Sequence, residues 1–249
     1  MDKMKAAYFD GQLKFLQDYP VDPIKPGWAK IKVKLAGICK TDMEIMKGYM
    51  GFKGVLGHEF VGVVDQCSER EWIGKRVVGE INAACGACDW CARDLGRHCP
   101  NRTTLGIFNH DGCMAEYCAL PVANLLVVPE SLSDERAVLT EPLSAACEIL
   151  EQLPVAGNER VIVLGDGRLG ILCAWVLSTV LKDVTVVGHH PEKLRAVQWR
   201  TILTVLAEKD VAPGADIVVD ATGSQAGIVT AMALCRPRGT IVLKSTVAI

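Results

Sequence analysis

The run Val161-Ile162-Val163-Leu164-Gly165-Asp166-Gly167-Arg168-Leu169-Gly170 constrains the fold more than any other stretch of the chain. An apolar strand pattern leads straight into G-x-G-x-x-G, and an apolar helix pattern follows as far as Leu181. The glycine motif alone is common, but between a strand and a helix it has the context of a dinucleotide-binding βαβ unit. Gly165 and Gly167 permit the tight turn and the close approach of a pyrophosphate, and Gly170 lets the helix pack on the strand. The helix N-terminus, beginning at Arg168 and Leu169, then favours the phosphate charge.

The chain around this motif reads as strand, glycine turn, helix, strand. Strands are expected at Arg160–Gly165, Asp183–Gly188, Thr201–Leu206, Ala215–Asp220 and Thr240–Lys244, with helices over Leu169–Leu181 and after a capping Ser224. This is a parallel α/β unit. Before about residue 140 the texture differs: short alternating pieces such as Ala29–Ala36 and Phe60–Gln66, punctuated by Gly, Pro and Asp, predict a β-rich domain. A helix over Ser144–Gln152 joins the two, and the division is placed between a domain of residues 1–145 and one of residues 146–249. At the end of the second α/β strand the sequence is Gly188-His189-His190, where NAD-specific folds carry an Asp or Glu for the ribose 2'-hydroxyl. Gly188 leaves room there, and His189, His190, Lys193 and Arg195 offer donors, so a preference for NADP(H) over NAD(H) is expected.

Cys85, Cys88, Cys91 and Cys99 are spaced C-x2-C-x2-C-x7-C in a polar, glycine-containing loop. Four thiolates close a tetrahedron around zinc and leave no position for a substrate, so this site is structural. Eleven cysteines, an odd number with four in one short loop, suit metal thiolates in a reducing compartment, and the cytoplasm is the expected location. The N-terminal residues contain no apolar signal run, and Leu169–Leu181 is too short to span a bilayer. A net charge of -2 gives no electrostatic reason to expect nucleic acid or an anionic membrane as partner.

A second constellation is more dispersed. Cys39 opens Cys-Lys-Thr-Asp, His58 and Glu59 lie in Gly-His-Glu, and Glu141 precedes Pro142. A thiolate, an imidazole and a carboxylate form a three-ligand zinc site whose fourth position stays open for water or substrate. Cys39, His58 and Glu141 make one such set; Asp42 and Glu59 are acidic neighbours able to orient it, and Glu59 is an alternative to Glu141 as the carboxylate ligand.

Together these residues resemble the zinc-containing medium-chain dehydrogenases, a family that includes alcohol, sorbitol and threonine dehydrogenases. The resemblance rests on the order Gly37-Ile38-Cys39-Lys40-Thr41-Asp42, Gly57-His58-Glu59-Phe60-Val61-Gly62, the four-cysteine loop, Asp111-Gly112, Glu141-Pro142-Leu143 and the glycine motif. It implies a GroES-like catalytic domain followed by a Rossmann-type domain, two zinc ions per chain, NADP or NAD as cofactor, and hydride transfer between an alcohol or polyol and its carbonyl partner. Cys39, His58 and Thr41 would be catalytic, with Thr41 as the hydroxyl that hydrogen-bonds the substrate oxygen, and Lys40 would approach the cofactor pyrophosphate. Glu44 stands where some relatives keep a relay histidine. The family normally has a sixth strand after the five counted here, so the chain is expected to be shortened at its C-terminus, with a homo-oligomer expected of a full-length form. The alternative is a non-catalytic, zinc-stabilised dinucleotide-binding protein or fragment.

Overall fold

Alternation of apolar and polar side chains organises the first half of the chain into antiparallel strands. The computed structural model describes residues 2–198 and 202–244. Strands β1 (Lys3–Phe9), β2 (Leu13–Pro20), β3 (Trp28–Gly37) and β4 (Gly54–Val55) are followed by β5 (Glu59–Cys67), β6 (Arg76–Gly79), β7 (Asn82–Ala83), β8 (Thr103–Thr104), β9 (Tyr117–Pro121) and β10 (Leu125–Val127). They form sheets of order β2-β1-β4, β10-β6-β5-β3-β9 and β7-β8. In the largest of these, β3 lies antiparallel to both β5 and β9, and Ile31, Phe60, Val64, Val77 and Leu120 fill the core. Short helices α1 (Lys40–Ile45), α2 (Asp89–Ala92) and α3 (Asp134–Ala137) interrupt the strands.

Helix α4 (Thr140–Gln152) starts a turn earlier than the expected Ser144. Pro142 sits in its first turn, where the missing N–H has no intrahelical partner to lose. One compact unit ends at Glu141 and the next begins at Pro142, both inside this helix.

The second unit contains β11 (Arg160–Leu164), α5 (Arg168–Leu177), β12 (Asp183–Val187), α6 (Pro191–Leu194), β13 (Leu203–Val205), β14 (Ala215–Asp220), α7 (Gln225–Leu234) and β15 (Cys235–Leu243). Every pair in its sheet is parallel, in the order β13-β12-β11-β14-β15. Counted within the unit this is 3-2-1-4-5, the doubly wound order of nucleotide-binding folds. Val161, Ile162, Val163 and Leu164 are all buried, as a strand covered on both faces requires. The Ser224 hydroxyl caps α7 by accepting the Gly227 N–H at 3.2 Å. Two lengths differ from the sequence pattern. Helix α5 stops at Leu177, short of Leu181, and β15 begins at Cys235 with a register shift opposite Ala215 and Ile217. The expected start of β13, Thr201, lies outside the described residues.

Candidate metal and dinucleotide sites

The four-cysteine loop folds its sulfurs onto one point. Sγ–Sγ separations are 3.5 Å for Cys88–Cys91, 3.6 Å for Cys88–Cys99, 3.5 Å for Cys85–Cys99 and 3.9 Å for Cys85–Cys91. A zinc tetrahedron with Zn–S bonds of about 2.3 Å has S–S edges of about 3.8 Å, so the cage fits the ion. The spacing is far too wide for disulfides, whose S–S length is about 2.05 Å. Cys88 supplies the N-cap of α2, which turns Cys91 back toward it, and Cys99 is wholly buried. The Ala87 amide, helped by Cys99, brings the Cys85 thiol down to about 6, so it is a thiolate near neutrality.

Cys39 caps α1, donating its N–H to Asp42 Oδ2 at 2.8 Å. Asp42 is buried, and its other oxygen accepts the Gly57 N–H at 3.2 Å and lies 3.6 Å from His58 Nδ1. One carboxylate therefore ties the Cys39 turn to the Gly57-His58-Glu59 turn. Gly57 has φ +94°, and a Cβ there would meet the Met114 backbone nitrogen at 2.9 Å, so only glycine closes this bend. Next along the chain, Glu59 is 0 % exposed and opposite Gly37 in the β3–β5 register; a Cβ on Gly37 would overlap Glu59 Oε2. The result is a donor group of half-buried Cys39 and buried His58 and Glu59, with ligand atoms within 4.8 Å of one another.

A divalent cation would hold such a sulfur and such a carboxyl together in their ionised forms. The chemistry of the donors, one sulfur, one imidazole nitrogen and one carboxylate, fits zinc. Burial works against a charged His58, yet Asp42 and Cys39 raise it to about 10, a second sign that the pocket favours positive charge. Glu141, in the first turn of α4, stands outside the 4.8 Å group, whereas Glu59 lies inside it. Thr41 Oγ1 is 3.7 Å from Cys39 Sγ. Lys40 is largely exposed and 4.0 Å from the buried Glu44 carboxylate, which also holds Lys47 at 2.9 Å.

In the second unit the glycine motif turns from β11 into α5. Gly165 has φ +108° and touches the Ala221 carbonyl, Gly170 abuts the Gly165 carbonyl, and nothing lies within 4 Å of where a Gly167 Cβ would stand. Arg168 and Leu169 open α5 with Gly167 as N-cap, leaving the first amides of the helix without intrahelical acceptors.

The end of β12 corrects the sequence reading. A carboxylate is present there: it comes from Asp166, inside the glycine motif. Asp166 Oδ2 and Cγ lie 2.6 and 2.8 Å from where a Gly188 Cβ would stand. The His190 N–H donates to Asp166 Oδ2 at 2.7 Å, His190 Nδ1 lies 2.9 and 3.1 Å from its two oxygens, and Lys193 Nζ is 4.0 Å away. His189 Nε2 is 3.2 Å from Glu208. Three of the groups expected to serve a 2'-phosphate are thus engaged by acids. Burial opposes the Asp166 charge, but the His190 amide and ring hold this carboxyl below its ordinary value. The signal in the sequence was an acid directly after the first glycine of the motif.

The chain matches the family of the alcohol dehydrogenase GroES-like domain over residues 25–130. It is 31% identical over 236 residues to the starvation-sensing protein RspB of Escherichia coli strain K12, covering 87% of this chain and 69% of that protein. It is 28% identical over 259 residues to D-xylulose reductase A of Aspergillus oryzae, covering 93% of this chain and 72% of that protein. Among solved structures, the rspB alcohol dehydrogenase of E. coli CFT073 complexed with NADH superposes with a TM-score of 0.81 at 29% identity, over 98% of this chain and 78% of that one. Among the described residues no helix is long and apolar enough to cross a membrane.

Proposed function

The chain belongs to the zinc-dependent, alcohol-dehydrogenase-like oxidoreductases of the medium-chain dehydrogenase family, and from that premise we propose that it interconverts a small alcohol or polyol with its carbonyl partner, using a nicotinamide dinucleotide as hydride carrier. The observation that carries this reading is the convergence of Cys39, His58 and Glu59. Cys39, His58 and one carboxylate, Glu59 or Glu141, would hold the catalytic zinc, and Cys85, Cys88, Cys91 and Cys99 a structural one. When bound, the catalytic zinc supplies a Lewis acid that brings an alcohol's pKa toward neutrality or polarises a carbonyl.

The chain's own residues do the rest. Asp42 lies 3.6 Å from His58 Nδ1, an arrangement that would leave Nε2 for the metal, and the same carboxylate anchors the Cys39 turn. The Thr41 hydroxyl would take the proton of the substrate hydroxyl as it releases its own to solvent water, and in reduction the same exchange would run in reverse. Gly165, Gly167 and Gly170 admit the pyrophosphate to the first amides of α5. The NADH complex of the rspB structure and the names of the relatives support the cofactor and an alcohol or polyol substrate. A homo-oligomeric state and a reducing, cytoplasmic setting complete the proposal, the latter supported by eleven free cysteines.

The test is cofactor reduction across a panel of primary alcohols, secondary alcohols and polyols, before and after chelation. Turnover that is lost on chelation and regained with zinc is expected. Absence of turnover on the whole panel, with both zinc sites filled, would overturn the assignment.

A further inference from the structure

The loop of the glycine motif carries a charge where pyrophosphate-binding loops are usually small and neutral. The Asp166 side chain points away from the open space over Gly167 and toward the C-terminal end of β12. There it fills the volume that a side chain at Gly188 would need, and only 9% of it is exposed. Gly188 has no positive φ, so its backbone does not itself require glycine, and it is the Asp166 side chain, from Cβ to carboxylate, that excludes a larger residue. The acidic group that other dinucleotide folds place at this strand end has been moved onto the preceding loop. Taking the dinucleotide reading above as its basis, we propose that Asp166 is the specificity-determining residue of the cofactor site, accepting a ribose hydroxyl of NAD(H) and repelling the 2'-phosphate of NADP(H).

Acceptor capacity supports this. A carboxylate accepts at about four lone-pair sites, and the His190 amide and ring occupy mainly Oδ2. Oδ1 carries the longer ring contact, at 3.1 Å, and faces Lys193 at 4.0 Å; with the His189 amide also against this carboxyl, a lone-pair site remains for a ribose O–H. Charge points the same way. A phosphate monoester brings a charge of roughly −1.5 to −2, and beside a shielded carboxylate it meets repulsion that a hydroxyl does not. Three of the four donors named for it lie against acids instead: His190 and Lys193 against Asp166, His189 against Glu208. This proposal therefore expects NAD(H) where the bare sequence leads to an expectation of NADP(H).

Dissociation constants for NADH and NADPH, read from nicotinamide fluorescence without any substrate, test the proposal. The wild-type chain is expected to bind NADH more tightly by on the order of tenfold or more, the weight of one charge-assisted hydrogen bond. Asp166→Asn, which keeps the shape, and Asp166→Gly, which empties the space, should each shrink that ratio. Adding Gly188→Asp to Asp166→Gly should restore it, because the strand-end position is then clear of the Asp166 Cβ as well as its carboxylate and can carry the acid. NADPH binding as tight as NADH, or a ratio unchanged in both single variants whose circular dichroism matches the wild type, would overturn the assignment to Asp166. Failure of either dinucleotide to bind the wild-type protein would overturn the dinucleotide reading itself, and this inference with it.

Discussion

Asp42 lies 3.6 Å from His58 Nδ1 while accepting the backbone N–H of Cys39 at 2.8 Å, so a single buried carboxylate positions two of the proposed ligands. Asp42→Ala is expected to lower zinc affinity at this site by about 10- to 100-fold, the usual cost of removing an outer partner of a ligating histidine. Competition with a chromophoric chelator measures this, and zinc in the four-cysteine cage serves as the internal control because Asp42 has no part in it.

Gly37 faces Glu59 across the β3–β5 pair with no space for a methyl group. Gly37→Ala should cost about 1–3 kcal/mol of stability, as overpacking a filled site does, and should displace the Glu59 carboxylate. Denaturant unfolding checks the stability, and the metal content checks the site. The predicted outcome is loss of one zinc with the other retained.

The four-cysteine cage predicts the opposite pattern. Cys88→Ser should remove the structural zinc, lower the melting temperature and increase protease sensitivity of the loop around residues 85–99. In the fraction that stays folded, kcat/KM per catalytic zinc should change little.

How much of this was visible in the sequence depends on how local each signal was. The cysteine cage was legible because all four ligands fall within one loop, Cys85 to Cys99, and spacing alone implies convergence. The strand before Gly165 and the helix after it were legible for the same reason. Choosing between Glu59 and Glu141 was not, because it depends on how β5 pairs with β3 and on what Gly37 lacks, a long-range relationship. The cofactor end of β12 misled for a similar reason. Scanning forward from the glycine motif finds no acid at Gly188, but the acid comes from Asp166, twenty-two residues earlier in sequence and adjacent only once β11 and β12 lie side by side. The division between the units was blurred because α4 runs through it without a break.

Asp166 also predicts a pH dependence. Its folded-state pKa lies below the unfolded value of about 3.9, so it contributes stability that is fully present above about pH 4 and is lost as pH falls through the folded value. Wild-type protein should therefore be more stable than Asp166→Asn near neutrality, and the two should converge in acid. Denaturant unfolding over a pH series reads the convergence. A stability difference that stays constant down to pH 3 would assign the effect of Asp166 to packing instead.

The most direct test of the central claim, that Cys39, His58 and one carboxylate, Glu59 or Glu141, form a second zinc site distinct from the cysteine cage, is zinc stoichiometry in the wild type, Cys39→Ser, Glu59→Gln and Cys88→Ser, each purified without chelator. The account predicts about two zinc ions per wild-type chain for two independent sites. Cys39→Ser should keep the structural ion and lose the catalytic one together with turnover, Glu59→Gln should hold the catalytic ion more weakly, and Cys88→Ser should lose the structural ion. A single zinc in the wild type that survives Cys39→Ser and Glu59→Gln but disappears with Cys88→Ser would contradict it.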